Sequence, residues 1–77
     1  MEKEIQIIKK YVEWMCEPPN KLLMLIKPID VLYAEYVKFT PVNVLYFPKQ
    51  QYIQMMISTF NLSVVLQNNN IYFDKNL

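Results

Sequence analysis

Five prolines, at positions 18, 19, 28, 41 and 48, decide where helices in this chain can begin and end. Proline lacks the amide donor that a helix interior needs, and it pushes the residue before it out of helical conformation. The same ring is well suited to the first turn of a helix. Residues 2–16 therefore read as an amphipathic helix stopped by Pro18-Pro19. Ile5, Ile8, Val12 and Met15 recur at helical spacing, and Ile7, Tyr11 and Trp14 widen the apolar stripe. Pro28 opens a second helix running to about Phe39, with Asp30 in its first turn. Ile29, Leu32, Tyr33, Tyr36 and Val37 form one face, while Asp30, Ala34, Glu35 and Lys38 fall on the other. Thr40-Pro41 ends that helix. Pro48 opens a third, in which Ile53, Met56, Ile57 and Phe60 lie within one arc.

Glycine is absent, so positions needing positive φ fall to asparagine, the best non-glycine residue for that conformation. Asn61 fits the C-terminus of the third helix. Leu62 to Leu66 and Ile71 to Phe73 are rich in β-branched and aromatic residues. Between them, Gln67-Asn68-Asn69-Asn70 offers an Asn-Asn tight turn, so the end of the chain reads as a β-hairpin. Leu22 to Ile26 is an apolar run that fits either a short buried strand or a short helix capped by Asn20. Val42 to Phe47 fits an extended connector or a minor strand. The expected fold class is α+β, with three helices, a C-terminal hairpin and a possible third short strand at 22–26. Residues 1–77 form one domain on the length prior.

A domain of 77 residues buries only about 60% of its unfolded surface, so its stability is marginal. One cysteine, Cys16, cannot make an internal disulfide, and the absence of histidine leaves no zinc-ligand spacing. Stability must come from packing or from a bound partner. The apolar share is 53%, above the ordinary about 45–50%. Some of that excess is expected to face a partner. No apolar run approaches the roughly 18–20 residues of a membrane span, and the N-terminal residues Met1-Glu2-Lys3-Glu4 lack a signal-peptide core. A cytoplasmic setting with no membrane contact is the expectation.

The order helix, short apolar segment, helix, connector, helix, hairpin resembles the winged helix-turn-helix fold. The carrying stretches are PIDVLYAEYVKF and FPKQQYIQMMISTFNLSVVLQNNNIYF. With its LYxEY helix, the pattern is also similar to small terminal domains of viral, phage and mobile-element helicase-primases. The resemblance implies that residues 48–61 are the recognition helix and Ser63–Phe73 the wing.

Charge departs from that pattern. From Phe39 to Phe73 the only charged residue is Lys49, and arginine is missing from the whole chain. Phosphate neutralisation by basic residues supplies most of the affinity of duplex binders, and arginine is the usual reader of guanine edges. The candidate nucleic-acid contacts are accordingly few: Lys49, Gln50, Gln51, Gln54, Ser58 and Asn69. Asn61 belongs with the glutamines as a polar group able to reach adenine edges or phosphates. The plainer reading of these groups is a solvated polar face. Tyr46, Tyr52, Met55 and Tyr72 are the candidate protein interface, since tyrosine and methionine are enriched in interface cores. Tyr33, Tyr36 and Phe60 read as core. Cys16 lacks a histidine base and reads as a buried or inert thiol, and Glu13 with Glu17 reads as a solvated acidic pair.

The expectation is therefore a non-catalytic winged-helix accessory module with no cofactor and no metal. It would dock on a larger nucleic-acid-handling protein, a replication factor by resemblance, and touch nucleic acid secondarily; a homodimer is compatible with it. The first alternative is a stand-alone DNA-binding transcriptional regulator using the helix at 48–61. The second is a small inhibitor of a host protein.

Overall fold

A computed structural model describes residues 2–76. Four helices precede a two-stranded antiparallel hairpin: α1 (Glu2–Cys16), α2 (Asn20–Leu23), α3 (Ile29–Phe39), α4 (Lys49–Phe60), β1 (Leu62–Gln67) and β2 (Asn70–Lys75). The fold class is α+β, and the arrangement is compatible with a winged-helix-like one. Prolines set the borders as expected, with a shift of one residue. Pro28 and Pro48 sit just outside α3 and α4 with extended backbones, ψ 150° and 157°. Their carbonyls accept the first helical bonds, from Leu32 at 3.1 Å and from Tyr52 at 2.9 Å.

The segment 22–26, open between strand and short helix, takes the helical alternative, and the possible third strand does not form there. Leu22 and Leu23 belong to α2, and the turns after it close locally: the amides of Leu25, Ile26 and Lys27 donate to the carbonyls of Leu22, Leu23 and Leu23. Amides engaged at that range are not available to a sheet ladder. What remains of a third strand is one isolated antiparallel bridge, Pro28 to Tyr72. Residues 42–47 form a connector without strand structure.

Three asparagines take the left-handed conformation that glycine would usually supply. Asn61 closes α4 at φ 53° and ψ 59°, its amide donating to the Ile57 carbonyl. Asn68 and Asn69, at φ 52° and 66°, make the two-residue turn between β1 and β2. Positive φ at both central residues is the type I′ geometry whose twist matches a hairpin. The register runs from Leu62 opposite Lys75 to Gln67 opposite Asn70.

One hydrophobic cluster joins every element except α2. It comprises Ile8, Tyr11 and Met15 of α1, Met24 just after α2, Ile29, Leu32 and Tyr36 of α3, Tyr52 and Met56 of α4, and Leu62 and Phe73 of the hairpin. Its centre is aromatic. Tyr36 and Tyr52 stack at 5.1 Å, and Tyr11 meets Tyr36 edge-on at the same distance. Offset and edge-to-face pairs of this kind add about 0.5–1.5 kcal/mol beyond area burial. The buried line of α4 is Tyr52 and Met56, one turn apart, so the arc read from Ile53, Met56, Ile57 and Phe60 is rotated from the true one; of those, only Met56 is fully buried.

Candidate functional site

The polar candidates form a face, and its single cation is already engaged. Lys49, Gln50, Gln51, Gln54 and Ser58 are all exposed on α4. Spacings of three and four residues from Gln50 and Gln51 through Gln54 to Ser58 put them along one side of the helix. Gln50, Gln51, Ile53 and Gln54 line a shallow depression of about 420 Å³. Lys49 makes an ion pair with Asp30, in the first turn of α3. That carboxylate competes with a phosphate for the lysine. Asn69 is exposed but sits at the hairpin turn, on another element. Asn61 is committed to the α4 C-cap and to a brace from Asn76, whose side-chain nitrogen donates to the Asn61 Oδ1 at 3.4 Å and to the Leu62 carbonyl at 3.1 Å.

The four apolar candidates are not brought together. Tyr52 is fully buried and is a core residue, which corrects its place in an interface. Sequence placed it outside because its hydroxyl and ring sit one position before the apparent apolar arc. The structure turns it inward and satisfies its hydroxyl with that of Tyr11, 2.6 Å away. Burial pushes both phenols up, Tyr11 to about 12, and the two rings and Glu35 add like-sign disfavour for ionised Tyr52. Met55 is half-buried, lining a depression of about 390 Å³ with Ile8, Lys9, Val12, Glu13 and Thr59. Tyr72 is half-buried on the hairpin, opposite Val65 and bridged to Pro28.

Tyr46 alone stands where an interface residue should, half exposed beside a groove of about 440 Å³ lined by Glu4, Ile5, Leu45, Tyr46, Phe47, Pro48 and Gln51. Its rim is apolar: Leu45 is 77% exposed and Ile5 46%. The groove is held by two tyrosines one turn apart on α3. The Tyr33 hydroxyl donates to the Phe47 carbonyl at 2.8 Å, and the Phe47 amide donates to the Tyr36 hydroxyl at 3.0 Å. Both backbone groups of Phe47 are thereby fixed without a strand, and the connector from 42 to 47 is pinned against α3. Tyr46 packs edge-on to Tyr33 at 6.4 Å. Leu45 and Ile5 were not singled out from sequence. Ile5 falls on the apolar stripe of α1, and nothing local distinguishes a stripe residue that is covered from one that overhangs.

Cys16 is a free, exposed thiol, which corrects the buried alternative read for it. Among the described residues, no group of three or more acidic, cysteine or histidine residues could hold a metal, and no helix is long and apolar enough to cross a membrane. Comparison with protein families, with curated proteins and with solved structures finds no match to this chain.

Proposed function

We propose that this chain is a non-catalytic, winged-helix-like binding module that docks on a larger protein through the groove beside Tyr46. The observation that carries the reading is the exposed Leu45–Tyr46 edge over Ile5, held rigid by the Tyr33 and Tyr36 bonds to Phe47. Rigid aromatic and aliphatic side chains around a concavity are the usual anchors of protein interfaces. A nucleic-acid-handling partner, of the replication kind, is the choice drawn from the resemblance of the α3–α4–hairpin stretch to helicase-primase terminal domains. Contact with nucleic acid is secondary in this reading, through Gln50, Gln51, Gln54 and Ser58.

The stand-alone regulator is the weaker reading. What weighs against it is the single basic residue over 39–73, and the carboxylate of Asp30 that neutralises it. The test is a binding titration with duplex and single-stranded oligonucleotides at two salt concentrations. A docking module gives weak binding with a shallow salt slope, and Leu45→Asp removes co-purification with its protein partner. Tight duplex binding that falls steeply with salt sinks the proposal in favour of the regulator.

A further inference from the structure

The hairpin has one edge covered and one edge open. On the β2 side, Tyr72 is bridged by Pro28, whereas among the described residues β1 pairs only with β2. The two-residue type I′ turn makes Gln67 and Asn70 the closing hydrogen-bonded pair, and such pairs then alternate along the ladder. Val65 with Tyr72 and Ser63 with Asp74 therefore exchange bonds within the hairpin. Leu62, Val64 and Leu66 turn their N–H and C=O groups outward. Asn76 takes the Leu62 carbonyl, which leaves both backbone groups of Val64 and of Leu66 on a free edge.

Natural sheets protect such edges with lysine, proline or a bulge. This strand has none of them: Leu-Ser-Val-Val-Leu-Gln carries no charge, and its register is unbroken. Its side chains follow the same logic. The pleat puts Leu62, Val64, Leu66, Ile71 and Phe73 on one face. Leu62 and Phe73 are buried at the root, while Val64 at 43%, Ile71 at 47% and Leu66 at 77% overhang the core.

We propose that this edge pairs with the same edge of a second copy, β1 against β1, antiparallel about a two-fold axis through Val65. That register sets Val64 opposite Leu66 of the second copy and Leu66 opposite Val64 of the second copy. The four backbone groups of Val64 and Leu66 on each strand are satisfied, and the two hairpins become one four-stranded sheet. Charge selects this occupant. Antiparallel self-pairing brings a strand against its own sequence, so any charge would lie close to its duplicate; β1 has no charge to repel. The proposal shares no residue with the groove beside Tyr46 and stands whether or not that groove binds a larger partner.

Sedimentation of the whole chain across a concentration series tests it. A reversible dimer is expected, lost in Val64→Lys/Leu66→Lys, which sets lysines opposite lysines across the axis while the helical circular dichroism stays unchanged. A second pair of variants reads the register without relying on lost binding. With Cys16→Ser to remove the native thiol, Val65→Cys is expected to cross-link on mild oxidation. Its Cα atoms would be about 4.5 Å apart, within disulfide range. Val64→Cys, facing Leu66 instead, is expected not to cross-link. A chain monomeric at every concentration, a dimer indifferent to the two lysines, or cross-linking at 64 equal to that at 65 overturns the proposal.

Discussion

The hydroxyls of Tyr11 and Tyr52, 41 residues apart, meet at 2.6 Å inside the core and form its buried side-chain hydrogen bond between α1 and α4. Neither ring reaches solvent. Each phenol is the other's polar partner, so the pair is satisfied only while the two helices keep their relative position. It ties the helix carrying the polar face to the helix that lines both apolar depressions.

Removing one hydroxyl leaves the other buried without that partner. Tyr52→Phe is expected to destabilise the fold by about 1–3 kcal/mol, the desolvation cost of an unsatisfied buried polar group. The double variant Tyr11→Phe/Tyr52→Phe should recover part of that loss, because both polar atoms are gone. Urea unfolding of the two singles and the double gives the coupling; strictly additive losses would show that the bond contributes nothing.

Alkaline pH should unfold the domain earlier than unbonded tyrosines would. Burial raises both phenols above the ordinary value of 10.0, Tyr11 to about 12 and Tyr52 further in the same direction. A raised pKa means the folded state holds its protons after the unfolded state has released them. That stability is fully present below pH 10 and is lost as pH rises from 10 through about 12. Denaturant midpoints at pH 8, 10 and 11 (about neutral to alkaline, spanning the unfolded tyrosine pKa) check it. A flat profile across that window contradicts the buried pair.

Asn61 pays the ordinary strain of a left-handed residue that carries a side chain. Asn61→Gly is expected to be neutral or slightly stabilising, and Asn61→Ala to cost about 1 kcal/mol. Thermal melts of the two variants settle the sign. An alanine as stable as the glycine would mean that α4 does not end in this conformation.

Phe47 should be released when its two tyrosine partners are trimmed. Tyr33→Phe/Tyr36→Phe keeps the rings and removes both bonds, so hydrogen exchange at the Phe47 amide should accelerate while α3 stays protected. Unchanged exchange would locate the connector's support elsewhere.

Asp30 should hold nucleic acid away. Asp30→Asn frees Lys49 and is expected to raise oligonucleotide affinity at low salt by a few-fold, adding about one phosphate contact to the salt slope. Lys49→Ala on its own should change little, because that lysine is already neutralised.

Much of the fold was legible because its punctuation is covalent. Pro18-Pro19, Pro28, Pro41 and Pro48 act on their own backbone and their immediate neighbours. Asn61, Asn68 and Asn69 were legible as turn and cap residues because positive φ is a one-residue property. The segment 22–26 was not, since an apolar run lacks a period and its carbonyls and amides bond either locally or across a sheet. The candidate site was legible only in part. Lys49, Gln50, Gln51, Gln54 and Ser58 do share an exposed face, and Tyr46 does stand at a groove. Tyr52 was misplaced because α4 is apolar through most of its circumference, with Tyr52, Ile53, Met55, Met56, Ile57 and Phe60 all competing for the inward side.

By itself, the sequence determined the borders of three helices, the hairpin and its asparagine turn, Lys49 as the only charge from Phe39 to Phe73, and the α+β class. Each follows from backbone sterics or from composition, and both are local. Tertiary structure alone decided which side of α4 is buried, that Asp30 takes Lys49, that Tyr33 and Tyr36 hold Phe47, and that the β1 edge stays open. Those relations join residues from 11 to 41 positions apart. The physical reason is that a side chain's partner depends on how helices are placed in space, and no periodicity within one segment carries that information.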